Sequence, residues 1–251
     1  MSNRDKVKIN ILYEDQDILA VNKPSGMMVH GDGKKEGLFL SDWILENYPD
    51  TKDVGEPARS QKGESISRPG IVHRLDTETS GVILIAKTPK GFDCLKRQFQ
   101  ERTIKKTYLA LVWGEMKEPF GTINKSIGRS GSDFRKWSSQ RGARGEMREA
   151  ETYWEKIKNI KCKVLVHGKE KLEKATLVRI EPKTGRTHQI RVHFTSIQHP
   201  VVGDKLYAPK KPMPVDLSIM ALHAKSIEFI DCNNKKIKVE SDIPLDMKKI
   251  V

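Results

Sequence analysis

The 251-residue chain carries 46 Lys and Arg against 33 Asp and Glu, a formal net charge of +13 that suits a partner bearing phosphates. Three widely spaced cysteines, Cys94, Cys162 and Cys232, exclude a disulfide framework and a CxxC metal site, and no apolar run reaches the roughly 18 residues of a membrane span. With no signal-peptide pattern either, the composition reads as a reduced, cytoplasmic protein without membrane contact, long enough for one large domain or two lobes.

Val7, Ile9 and Ile11 alternate with polar residues, and Ile18-Leu19-Ala20-Val21-Asn22 follows the polar turn at 14–17, so the chain opens with two short strands. Lys23-Pro24-Ser25-Gly26 closes them, with proline at the second turn position. Leu40, Trp43, Ile44 and Tyr48 mark one face of a helix that Ser41 caps and Pro49 ends. Residues 50–69 are poor in apolar side chains and rich in Gly, Pro, Ser and charge, a loop too long for a plain connection and expected to be mobile.

Next comes Gly70-Ile71-Val72-His73-Arg74-Leu75-Asp76-Thr77-Glu78-Thr79-Ser80-Gly81, leading into Val82-Ile83-Leu84-Ile85-Ala86. A lone aspartate among small polar residues, just ahead of a continuous β-branched run, sits on a loop at the mouth of a buried strand, where working residues commonly lie. Taken alone, Asp76, Thr77 and Ser80 describe a hydrogen-bonded turn equally well.

Thr88-Pro89 starts a helix with Phe92, Leu95 and Phe99 facing the core. Residues 106–113 alternate as a strand, with Tyr108 on the face opposite Thr107, Leu109 and Leu111; by its residues alone Tyr108 is packing. The most basic interval is 125–148, where Arg129, Arg135, Lys136, Arg141, Arg144 and others face only Asp133 and Glu146, with Phe134 and Trp137 interleaved. Glycine and serine make it a second mobile loop, and the mixture of cations and aromatics suits phosphates and unpaired bases. Residues 150–157, 160–166 and 175–181 read as successive antiparallel strands.

Pro182-Lys183-Thr184-Gly185 turns the chain into a helix capped by Thr187, with Ile190, Phe194 and Ile197 as its buried stripe and His188, Arg191 and Thr195 on another face. His188 and His193 are five apart and share no helical face, which argues against a metal pair. Two final strands, 225–230 and 235–240, flank a turn at Asn233-Asn234. No repeat, phosphate loop or dinucleotide fingerprint is present.

His73-Arg74-Leu75-Asp76, two residues, then Thr79-Ser80-Gly81 resembles the signature of the RluA-type pseudouridine synthases. Lys106-Thr107-Tyr108-Leu109-Ala110-Leu111-Val112-Trp113-Gly114 resembles the family's second motif, whose tyrosine faces the substrate uracil, and Gly185-Arg186-Thr187-His188-Gln189-Ile190-Arg191-Val192-His193 its third. The segments at 199–204 and 222–224 also resemble the family, so the likeness runs from about Ile11 to Pro244. It implies an α+β fold, a mixed and mainly antiparallel central sheet flanked by helices and loops, with two lobes around an active-site cleft in a single catalytic domain over 1–251. Many members carry an S4-type RNA-binding domain ahead of the catalytic region. Here the first strand begins near Val7, so substrate selection is expected to rest on the catalytic region itself.

The implied reaction isomerises uridine in ribosomal or transfer RNA without cofactor or metal. The bond from C1′ to N1 breaks, the ring turns, and C5 joins C1′. Asp76 either attacks C1′ or removes a proton at C2′, and both routes stay open. It must be ionised to act, which in a dry site requires a neighbouring cation; the resemblance puts Arg191 there. Tyr108 completes the catalytic set. Substrate binding falls to His73, Arg74, Arg129, Arg135, Lys136, Trp137, Arg144, Arg186 and His188, with Arg74 either filling the space of the extruded base or pairing with Glu78. The partner is RNA and the protein is expected to be monomeric. Two other classes remain: a non-catalytic RNA-binding protein, and a base-excising glycosidase pairing Asp76 with Glu78.

Overall fold

The computed structural model describes residues 8–31, 37–59, 65–140 and 143–251, and the chain divides into two compact units: Met1–Thr103 with Glu228–Ser241, and Ile104–Ile227 with Asp242–Val251. Among the described residues no helix is long and apolar enough to cross a membrane.

In the first unit, β1 (Asn10–Glu14) and β2 (Ile18–Lys23) form an antiparallel hairpin. The first strand sits about three residues later than the 7–11 pattern indicates. Its turn is shorter than expected because Asp15 Oδ1 accepts the amides of Asp17 at 2.8 Å and Ile18 at 2.7 Å. Helix α1 (Leu40–Asn47) buries Leu40 and Ile44. Its N-cap is Phe39, not Ser41: the amides of Leu40 and Ser41 donate to the carbonyls of Met28 and Val29, leaving no need for a side-chain cap. Within 50–69, described residues form a 3₁₀ turn at Pro49–Thr51 and a strand pair, β3 (Ala58–Arg59) with β4 (Ser65–Ile66), while 60–64 lie outside the described residues.

Strand β5 (Ser80–Ala86) pairs antiparallel with β2, and every one of its residues is buried. That is why the run lacks polar alternation. Helix α2 (Pro89–Gln100) begins as its sequence indicates, the Thr88 hydroxyl accepting from Gly91 N–H at 3.0 Å and Pro89 at the first position.

Gly70 holds the segment leading to Asp76 against the end of β5. Its amide donates to Val54 O at 2.7 Å and its carbonyl accepts from Ala86 N–H at 2.8 Å. Its φ is +63°, and a Cβ would lie 2.1 Å from Ala86 O. Gly70→Ala is therefore expected to lose about 1–2 kcal/mol through the left-handed backbone alone, and more through the clash. Urea unfolding should show a lower midpoint at unchanged slope.

The second unit contains β6 (Lys105–Trp113), β7 (Phe120–Asn124), β8 (Ile127–Arg129), β9 (Trp137–Ser138), β10 (Arg144–Arg148), β11 (Glu151–Val166), β12 (Lys169–Pro182), α3 (Gln189–Ser196) and β13 (Leu222–Ile230), whose last residues enter the first unit. Strand β14 (Lys236–Glu240) pairs with β13, and α4 (Leu245–Lys248) ends the elements.

The antiparallel order β6-β12-β11-β7 carries a core on each face. Ala110 and Val112 join Val178, Ile180, Ile190 and Phe194 on one side. Leu111 and Trp113 join Ala175, Leu177 and Met247 on the other. The two strands expected at 150–157 and 160–166 are one: a register shift between Lys156 and Lys158 absorbs the polar interruption. His167 and Gly168, both at positive φ, turn β11 into β12.

Residues 125–148, expected as a loop, include a three-stranded sheet in the order β10-β8-β9, with Arg141 outside the described residues. Its strands are too short to show a period. Helix α3 is not capped by Thr187. The N-cap is His188 at φ +56°, and the Gln189 side chain does the anchoring, accepting from the Thr184 hydroxyl and Arg186 N–H and donating to Glu151 O and Thr152 Oγ1.

Candidate active site

Asp76 is half-buried at the start of a turn closed by Thr79 N–H donating to the Asp76 carbonyl at 3.1 Å. The segment after β2 holds this turn at three points. Gly26 N–H and the Lys23 ammonium both donate to Thr77 O, at 2.9 and 3.1 Å, and the Ser25 hydroxyl donates to Glu78 O at 2.7 Å. Lys23 also donates to Pro24 O at 3.0 Å and Met27 O at 2.8 Å, so a fully buried lysine satisfies its three protons on three carbonyls. Burial pushes its pKa down to about 7, while the charges of Asp76 and Glu78 pull the other way.

His73 stands beside β5: its Nε2 accepts from Leu84 N–H at 2.8 Å, which assigns its proton to Nδ1, and its ring stacks on Phe99 with centroids 4.6 Å apart. Arg74 is exposed. The half-buried Arg68 guanidinium is disfavoured first by burial and then by the charge of Arg74, so two cations share this side of the turn.

In the second unit, Tyr108 is half-buried on the β6 face that carries Ala110 and Val112, packed against their cluster. Arg191, 5% exposed, grips the buried Asp204 in a bidentate pair, Nε to Oδ2 at 2.7 Å and Nη2 to Oδ1 at 2.8 Å. Asp204 Oδ1 also accepts the amides of Leu206 and Tyr207, both at 3.0 Å. The Tyr207 ring lies 5.0 Å from the Arg191 guanidinium carbon. Its hydroxyl is 2.9 Å from His188 Nδ1 and accepts Trp137 N–H at 2.9 Å.

The other sequence-marked residues divide by how much of each is already engaged. Trp137 packs toward Ile127, Ala150 and Val192 and carries the Arg129 guanidinium 4.5 Å from its ring centroid. Phe134, at the tip, is 84% exposed. Arg135 pairs with Asp133 at 2.9 Å; Arg144 is exposed and Lys136 half-buried. Arg186 Nε donates to Glu149 O at 3.0 Å. His193 bridges Thr152 Oγ1 and Lys125 O, each at 2.9 Å, which fixes the start of the basic segment on α3.

The sequence assigns no site role to Lys23, Gln189, Asp204 or Tyr207, although Gln189 and Asp204 fall inside the family-like segments 185–193 and 199–204. For Lys23 a signal exists: it continues the Leu19, Val21 face of β2 and is thereby carried into the core. For Asp204 it is an isolated acid closing the apolar run Val201-Val202-Gly203.

Residues 17–196 match the family model described as RNA pseudouridylate synthase. An uncharacterised RNA pseudouridine synthase of Synechocystis is 35% identical over 225 residues, covering 89% of this chain and 62% of that protein. One of Aquifex aeolicus is 41% identical over 207 residues, 82% of this chain and 58% of its own length, so the chain spans about three fifths of both relatives. The ribosomal large subunit pseudouridine synthase D of Nitrosomonas europaea is 33% identical over 255 residues, covering 98% of this chain and 65% of that protein. Among solved structures, human RNA pseudouridylate synthase domain containing 1 superposes with a TM-score of 0.69 at 25% identity, over 94% of this chain and 84% of that one. Sequence motifs, antiparallel α+β architecture and relatives converge: this chain belongs to the RNA pseudouridylate synthase family, of the RluA type.

Proposed function

We propose that the chain isomerises uridine to pseudouridine in structured RNA, ribosomal RNA first among the substrates to test. The observation that carries this reading is the construction around Asp76: a half-buried carboxylate on a turn whose next two carbonyls are fixed by Lys23, Ser25 and Gly26. In the proposed reaction Asp76 engages the ribose, by attack at C1′ or by proton removal at C2′. The glycosidic bond breaks, the uracil rotates, C5 bonds to C1′, and the C5 proton leaves to restore the ring. Tyr108 faces the uracil, Arg191 supplies the reaction's cation, and no cofactor or metal takes part. Arg74 fills the space left by the extruded base. The protein works as a cytoplasmic monomer. Glu78 is exposed where Asp76 is half-buried, which favours isomerisation over the paired carboxylates of a glycosidase.

The test is to incubate the purified protein with large-subunit ribosomal RNA and, separately, transfer RNA, then digest with nuclease and analyse by mass spectrometry with a pseudouridine-selective label. The expected result is label at a discrete uridine with RNA mass otherwise unchanged. Free uracil would identify a glycosidase, and binding without label a non-catalytic protein.

The hairpin β8–β9 and its neighbour β10 make a second prediction. Neutralising Lys136 and Arg144 should reduce the slope of log affinity against log salt by about 0.7–0.9 for each phosphate that is no longer neutralised. Arg135 should contribute less, because Asp133 already offsets its charge. An unaltered slope in filter binding between roughly 50 and 200 mM salt, where counterion release changes affinity by orders of magnitude, would remove the hairpin from the RNA interface.

A further inference from the structure

We propose that Tyr207 is a positioning residue that couples the basic β8–β9 hairpin to Arg191, so that RNA seated on the hairpin sets the arginine's geometry. The inference rests on the reading above, in which Arg191 serves isomerisation and the hairpin meets RNA. It begins with Asp204, whose Oδ1 accepts both Arg191 Nη2 and the Tyr207 amide, tying the tyrosine backbone to the carboxylate that orients the guanidinium. The ring then lies against that guanidinium. At its far end, the hydroxyl accepts the backbone N–H of Trp137.

The same hydroxyl lies 2.9 Å from His188 Nδ1, so one oxygen meets both the hairpin backbone and the helix N-cap. His188 is held at φ +56° beside this contact, its ring edge-on to Tyr207. Trp137 in turn pairs with Arg129 across β8 and β9, and Ser130 N–H donates to Lys136 O at the base of the turn bearing Phe134. One side chain thus touches the hairpin backbone, the helix N-cap and the arginine. Displacing the hairpin moves the hydroxyl's partner, and the ring transmits that movement to Arg191.

The test is a double-substitution cycle on the full chain with transcribed large-subunit ribosomal RNA, reading kcat and KM separately. Tyr207→Phe keeps the ring and should lower kcat about tenfold, as loss of one orienting hydrogen bond would, with KM within about twofold of wild type on the same reasoning. Phe134→Ala should lower kcat and raise KM in the wild-type background, and raise KM alone when Tyr207 is Phe. Equal kcat losses in both backgrounds would overturn the coupling. Should Tyr207→Phe fail to fold, Phe134→Ala by itself decides, since so exposed a residue does not endanger folding: a change confined to KM overturns the proposal. Amide exchange at Trp137, expected to quicken in Tyr207→Phe, reads the hydrogen bond without activity. Normal turnover by Arg191→Leu, which removes the charge, would instead sink the role given to Arg191, separately from the cycle.

Discussion

Asp76→Asn is expected to abolish isomerisation while leaving RNA affinity unchanged or slightly tighter. The amide is nearly isosteric with the carboxylate and keeps an acceptor, and the main-chain carbonyls of Thr77 and Glu78 hold the turn that presents it. What disappears is the charge, and with it either the nucleophile or the base. A lost acid–base group costs about 10²–10⁴-fold in rate, and a lost nucleophile more. Removing a negative charge near RNA phosphates cannot weaken their binding by repulsion. Single-turnover label incorporation alongside filter binding separates the two quantities. Turnover near the wild-type rate would remove Asp76 from the chemistry; a parallel loss of affinity would mean that the side chain, not the clamp, shapes the turn.

Asp204→Ala should strongly destabilise the second unit, costing about 3–5 kcal/mol as a broken buried ion pair. It strips a bidentate acceptor from a buried guanidinium and frees the amides of Leu206 and Tyr207 in the same step. Asp204→Asn, which keeps one acceptor, should cost less. The double variant Asp204→Leu with Arg191→Leu should recover much of the stability, since an apolar pair of similar volume removes both desolvated charges, yet regain no activity. Denaturant midpoints against single-turnover rates provide the comparison. Recovery of activity in the double variant would contradict the electrostatic role given to Arg191.

Legibility from sequence followed the range of the interactions involved. The buried run of β5, the Thr88-Pro89 start of α2 and the alternation of β6 are set by neighbours in the chain, and they stand where periodicity and capping put them. Ser41 and Thr187 were plausible caps by type, but distant main-chain carbonyls satisfy the first helix and the Gln189 carboxamide the other. The join of β11 into one strand depends on a bulge opposite β12, which no local pattern reveals. Among site residues, Asp76, Tyr108 and Arg191 were marked through motifs. Lys23 and Tyr207 escaped because their significance lies in partners 54 and 70 positions away, Thr77 and Trp137, and Asp204 stood in a family-like segment without its pairing to Arg191, 13 positions away, being legible.

The Lys23 clamp has a thermodynamic meaning for substrate engagement. Ordering a backbone residue costs about 1–2 kcal/mol of conformational entropy, and a four-residue turn left free until RNA arrived would subtract that from binding. Here the ammonium, the Ser25 hydroxyl and the Gly26 amide settle the conformations of Thr77 and Glu78 during folding. The loss is thus charged to the stability of the protein and not to the encounter. Binding energy gathered along the RNA remains for unstacking the uridine, the step that needs it most.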